Sequence, residues 1–215
     1  MTQEGEPVDK LQTNPHWLRT AAVIVGAVTS ALAPPAHETD TAWTGAISGL
    51  WSDTGNWASG VAATGDTARF GNDAVGNFMV DLDGDRTVND LILEGNTPYR
   101  LFDDVLSLES GNLRVTSTGH QIDSDVVLLA DGVWDIHSWL TLNGAPSGGF
   151  SLTQPGGLLR LNGANTYTGG TTLSGGTLRI VASHATSRNF SVTNRSTIHL
   201  QPCVLGLAGE SHALG

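Results

Sequence analysis

A chain of 215 residues has room for one solenoid block, or for one ordinary domain behind a leader. Its 27 glycines and a charged fraction of only 14 % suit a chain that turns often and stacks neutral side chains, and they suit helices poorly. A net charge of -11, with arginines scattered singly, speaks against a nucleic-acid partner and leaves metal cations as the charged small partners to consider.

Residues 21–33 form an apolar run of roughly 13, the length of a signal-peptide core and short of the ~20 that a membrane span needs. His16 and Arg19 precede it, and Ala31-Leu32-Ala33 has the small-x-small form that a signal peptidase accepts. Pro34 disfavours a cut directly after Ala33, so a cut after Ala36 is the alternative. Residues 1–36 are therefore read as a signal peptide or leader, leaving an exported mature chain without a transmembrane span. Cys203 stands alone, which excludes an intramolecular disulfide and leaves strand ladders and stacked side chains to hold the fold.

Residues 40–70 are rich in Trp, Gly, Ser and Asn, with Trp43, Trp51 and Trp57 separated by turn residues such as Asp53-Thr54-Gly55-Asn56. Each indole carries roughly 200 Å2 of largely apolar surface, so the stretch is read as a cap over the open end of something. The alternative is a glycan-stacking platform on Trp51 and Trp57.

Over residues 71–200, runs of apolar residues end at Gly, Asn or Asp, and several alternate apolar with polar: Leu106 and Leu108, then Leu113 and Val115 beyond the Gly111 turn. Outside the leader no window sustains helical periodicity. Turns recur every ~8–12 residues, which suits either a β-sandwich or the coils of a parallel β-helix. Residues 201–215 read as an irregular tail or a truncated coil.

Residues 151–181 decide between those two folds. Three short strands are joined by glycine turns in Leu159-x-Leu161-x-Gly163-x-Asn165-Thr166-Tyr167-x-Gly169-Gly170-Thr171-Thr172, followed by Gly175-Gly176-Thr177-Leu178-x-Ile180. The glycines allow the positive φ values of tight corners, and Leu159, Leu161, Leu173, Leu178 and Ile180 point into one interior. Asn165 sits at a corner, and Tyr167 is expected outside it with a wet hydroxyl. One coil cannot bury its own apolar face, so neighbouring coils are implied. This string resembles the autotransporter-associated β-strand repeat, also called the passenger-associated transport repeat. One departure is Gln154-Pro155, where that family has a lysine. A looser similarity to the region preceding such repeats covers Trp51, Asn56-Trp57 and the run Gly65-Asp66-Thr67-Ala68-Arg69-Phe70-Gly71. The resemblance implies an all-β, right-handed parallel β-helix with a Trp-rich N-terminal cap. It also implies a non-catalytic structural or adhesive segment at a bacterial surface, with surface glycans or other surface proteins as partners.

Few residues stand in patterns that carry chemistry. Asp81-Leu82-Asp83-Gly84-Asp85 opens like a calcium loop, yet Arg86 and Ile92 stand where an EF-hand needs Gly and Glu, so Asp81, Asp83 and Asp85 remain weak metal candidates. The seven histidines show no zinc-ligand spacing, no Gly-x-Ser-x-Gly elbow is present, and no glycine run opens a dinucleotide loop. No cofactor is implied. For a rival reading as a polysaccharide lyase or glycoside hydrolase, the acid pairs are Asp103 with Asp104, Asp123 with Asp125, and Asp131 with Asp135. A sandwich-type carbohydrate-binding module is the other rival.

Overall fold

In the computed structural model, residues 38–117, 119–181, 190–192 and 196–200 are described. The leader expected over residues 1–36 and the tail over 201–215 lie outside them. Strand β1 (Asp40–Ala42) and a 3-10 turn (Thr54–Asn56) precede a regular series. Coil 1 consists of β2 (Thr67–Phe70), β3 (Met79–Asp81) and β4 (Arg86–Val88). Coil 2 has β5 (Asp90–Leu93), β6 (Arg100–Phe102) and β7 (Val105–Leu108), and coil 3 has β8 (Leu113–Val115), β9 (His120–Ile122) and β10 (Asp125–Leu128). Coil 4 is β11 (Gly132–Ile136), β12 (Trp139–Leu142) and β13 (Pro146–Ser147). Coils 5 and 6 are β14 (Leu152–Gln154) with β15 (Leu158–Leu161), and β16 (Thr171–Leu173) with β17 (Thr177–Ile180). Strands β18 (Phe190–Val192) and β19 (Thr197–Leu200) stack on coil 6.

Among the described residues every strand pair is parallel, and like strands of successive coils stack into three sheets. The first is β1-β2-β5-β8-β11-β14-β16-β18, the second β3-β6-β9-β12-β15-β17-β19 and the third β4-β7-β10-β13. This is a β-solenoid of about six turns, and the sandwich alternative falls because a sandwich is built from antiparallel strands. Among the described residues there is no α-helix, and none is long and apolar enough to cross a membrane.

The period-2 alternation sends one face of each strand inward. Val80, Leu101, Ile122, Leu142, Leu161 and Ile180 form one fully buried inner column on the second sheet. His120, Leu140, Leu159 and Leu178 form the next. All five residues expected to line the repeat's interior are buried, at 1 % exposure or less.

The coils shorten along the stack. Thr67 faces Asp90, 23 positions on, whereas Leu152 faces Thr171, 19 positions on. The third sheet stops at β13, but its ladder continues without strand geometry: the Thr166 and Thr168 N–H groups donate to Pro146 O and Gly148 O, each at 2.9 Å. The string Asn165-Thr166-Tyr167 is thus the third wall of coil 5.

Two expectations for the repeat need correction. Tyr167 is buried at 1 % exposure, because its hydroxyl, 2.5 Å from the equally buried Thr171 Oγ1, finds its partner inside the coil and not in water. Of Gly163, Gly169, Gly170, Gly175 and Gly176, only Gly176 has a positive φ, +74°. Gly163, Gly169 and Gly175 satisfy a different need. A Cβ on Gly163 would lie 2.2 Å from Gly144 O, and one on Gly169 2.2 Å from the Phe150 carbonyl carbon, so these glycines let successive coils approach.

At the β1 end, Trp43, Trp51, Trp57, Phe70 and Tyr99 form one aromatic cluster with centroid separations from 4.8 to 5.8 Å. Each indole N–H has an acceptor: Asn77 O for Trp43, Ala62 O for Trp51 and Trp51 O for Trp57.

Candidate functional site

The corner between the second and third sheets carries most of the chemistry-bearing side chains. It turns in a few residues per coil, after β3, β6, β9 and β12, and such tight polar turns favour Asp and Asn. The corners of coils 2 and 3 bound a groove of about 300 Å3 lined by Arg100, Phe102, Asp103, Asp104, Asp123, Ser124 and Asp125. The structure therefore brings together two of the three acid pairs, Asp103 with Asp104 and Asp123 with Asp125. Asp131 and Asp135 lie elsewhere, in the turn into β11 and on the outer side of that strand.

Most of these carboxylates brace one coil against the next. Asp104 Oδ2 accepts from Gly84 N at 2.6 Å, Asp85 Oδ1 from Val105 N at 3.1 Å, and Asp125 Oδ1 from Ala145 N at 2.7 Å. Asp123 begins a ladder in which Asn143 Nδ2 donates to Asp123 Oδ1 at 2.5 Å and Asn162 Nδ2 donates to Asn143 Oδ1 at 2.6 Å. Gln121 also donates to Asp123, and Arg100 pairs with it while resting over the Phe102 ring at 5.7 Å. Burial pushes the Asp123 carboxyl up, but donation from Asn143, Gln121 and Arg100 outweighs it and holds the group below the usual carboxylate range. Asp103 and Asp104 have positive φ, 60° and 41°, in the two-residue turn between β6 and β7.

The remaining candidates disperse. Asp81 Oδ1 accepts from Asp83 N at 2.8 Å, Asp83 faces Ser52 and, at 3.9 Å, Arg86, and Asp85 holds coil 2 as above. The three weak metal candidates thus point to separate partners. Among the described residues no group of three or more His, Cys, Asp or Glu side chains could hold a metal ion. Asp131 Oδ1 accepts from both Ser151 N and Ser151 Oγ at 2.8 Å, which holds it below the usual range, and Asp135 pairs with His137 and Arg114. Trp51 and Trp57 are 0 % and 5 % exposed, so neither offers a ring face to a sugar in this arrangement.

Sequence reasoning passed over Arg100 and Phe102. The signal was the alternation of β6, whose inward residue is Leu101 and whose outward residues are these two. It also passed over Trp139, 49 % exposed at the outward phase of β12.

No curated relative and no solved structure matches the chain. Residues 156–180, which run from the turn before β15 through β17, match the family model described as Passenger-associated-transport-repeat. The likeness to the passenger-associated transport repeat therefore falls on coils 5 and 6 of this solenoid.

Proposed function

We propose that the chain is a non-catalytic, exported, passenger-type β-solenoid that acts as a structural or adhesive scaffold at a bacterial cell surface. The observation that carries this reading is continuity. The repeat pairs in parallel register with the irregular coils before it, so the repeat and those coils share one continuous solenoid, which supports a scaffold role. The groove fits the same reading, since one oxygen of Asp104, one of Asp125 and both of Asp123 accept hydrogen bonds that tie one coil to the next. A strut works ionised, and donation from Asn143, Gln121 and Arg100 keeps Asp123 below the usual carboxylate range.

Protease treatment of intact cells producing the full chain tests the proposal. Digestion of the chain with cytosolic markers left intact is the expected result, and protection until lysis overturns it. Release of reducing ends from a polyuronate, lost in Asp104→Asn, would instead favour the lyase or hydrolase reading.

A further inference from the structure

We infer that the outer face of the second sheet, across coils 4 to 6, binds an anionic glycan. The inference rests on the adhesive reading above and names the chemical class of the partner. Charge in this chain is partitioned: 17 of the 21 acidic residues lie within 38–135, and residues 136–209 hold Arg160, Arg179, Arg188 and Arg195 with no Asp or Glu at all. The net charge of the whole chain hides a cationic half.

Within that half the strand register arranges the outward side chains into three adjacent columns. Arg160 and Arg179 occupy directly paired positions on β15 and β17, with exposed His199 next in line on β19. Strands in a sheet lie roughly 4.8 Å apart, so the two arginines stand one rung apart, and like charges directly opposite destabilise a sheet. Every described arginine of the acidic half has a carboxylate partner: Arg69 with Asp40 and Glu94, Arg86 with Asp83, Arg100 with Asp123, and Arg114 with Asp135. Arg160 and Arg179 have none among the described residues. Two arginines on directly paired positions bring guanidinium donors within reach of the same carboxylate or sulfate oxygens, and a bound anion would relieve their mutual repulsion.

The flanking columns supply what a sugar needs besides charge. On one side stands Trp139. A Cβ on Gly119 would lie 1.9 to 2.2 Å from three atoms of its indole, so one side of the ring rests on bare backbone while nearly half of the residue stays open. An aromatic ring so supported is a rigid apolar platform for a pyranose face. On the other side runs the amide ladder that starts from Asp123 and continues through Asn143 and Asn162; the second hydrogen of each amide, outside those internal bonds, suits hydroxyls. One aromatic platform, a basic pair and an amide ladder together fit a linear glycan bearing carboxylate or sulfate groups. A neutral glycan would leave the arginine pair unanswered.

The test is retention of the full chain on immobilised polygalacturonate and on dextran sulfate, with plain dextran and duplex DNA as controls. Retention on one or both anionic glycans, weakened by salt and absent on dextran, is expected, and the stronger arm identifies the anion. Affinity should fall about tenfold for each arginine lost in Arg160→Gln and Arg179→Gln, and also in Trp139→Ala. The far-UV dichroism of these surface variants is expected to match the wild type. If one of them does not fold, salt sensitivity and the dextran control with the unaltered chain still decide. No retention, retention indifferent to both arginines, or equal retention on DNA with no effect of Trp139→Ala would each overturn the inference. A chain that is digested on intact cells yet not retained on any glycan overturns this inference alone and leaves the exported scaffold standing.

Discussion

His120 occupies an inward position that Leu140, Leu159 and Leu178 fill in the coils that follow. It is fully buried, its Nδ1 accepts the Tyr99 N–H at 3.0 Å, and its ring stacks on that of Tyr99 at 5.9 Å. The Tyr99 hydroxyl in turn donates to Gly71 O at 2.5 Å, so the pair stitches coil 1 to coil 3 through the interior. Burial pushes the imidazole down to about 4 from an ordinary 6.5, because the charged form has no solvent there. A histidine lowered in this way binds fewer protons folded than unfolded. Its contribution is therefore full above about pH 6.5 and is lost as the pH falls toward 4, by about 3 kcal/mol across that window. Denaturant midpoints at pH 7 and pH 4.5 check this: the wild type should lose markedly more stability on acidification than His120→Leu, and parallel losses would refute it. In the sequence His120 was one histidine among seven, and only the coil register shows that it stands in a leucine column.

At the level of strands and turns, the inward faces were legible from alternation alone. Leu106, Leu108, Leu113 and Val115 fall as their spacing indicates, and so do the repeat's leucines. The role of the corner glycines was less legible, because the constraint acts between residues about 20 positions apart. Gly144 shows it most sharply: its φ is not positive, yet a Cβ there would lie 1.9 Å from Ser124 O of the preceding coil. Gly163 repeats the relation to Gly144 one coil on. Backbone oxygen cannot swing aside as a flexible side chain can, so the coils would have to part. Gly144→Ala and Gly163→Ala are each expected to destabilise by about 1–3 kcal/mol or more, as overpacking does. Gly149→Ala, whose Cβ would meet nothing within 4 Å, should change stability by less than about 0.5 kcal/mol. Chemical denaturation of the three variants gives the comparison, and equal effects would show that conformational freedom, not close approach, selects these glycines.

For the molecule as a whole, one well-formed repeat was enough to indicate a solenoid, since a coil with an apolar face demands neighbours. The shrinking coil length and the lapse of the third sheet after coil 4 were not legible, because irregular coils share no common period. The charge partition lay open in the sequence but is lost in a sum over the chain. The tryptophan cap was legible from composition, and its geometry carries a prediction about cooperativity. Trp57 packs at 5.2, 4.8 and 5.6 Å from Trp43, Trp51 and Phe70, all at the β1 end. Trp57→Ala should therefore remove about 3–5 kcal/mol of local packing. In a stack where each coil touches only its neighbours, that loss stays near the cap. Hydrogen exchange should show protection falling in β2 through β5 while β14 through β17 keep theirs. Equal loss along the whole rod would mean that the coils open as one unit, and the nearest-neighbour picture of this solenoid would fail.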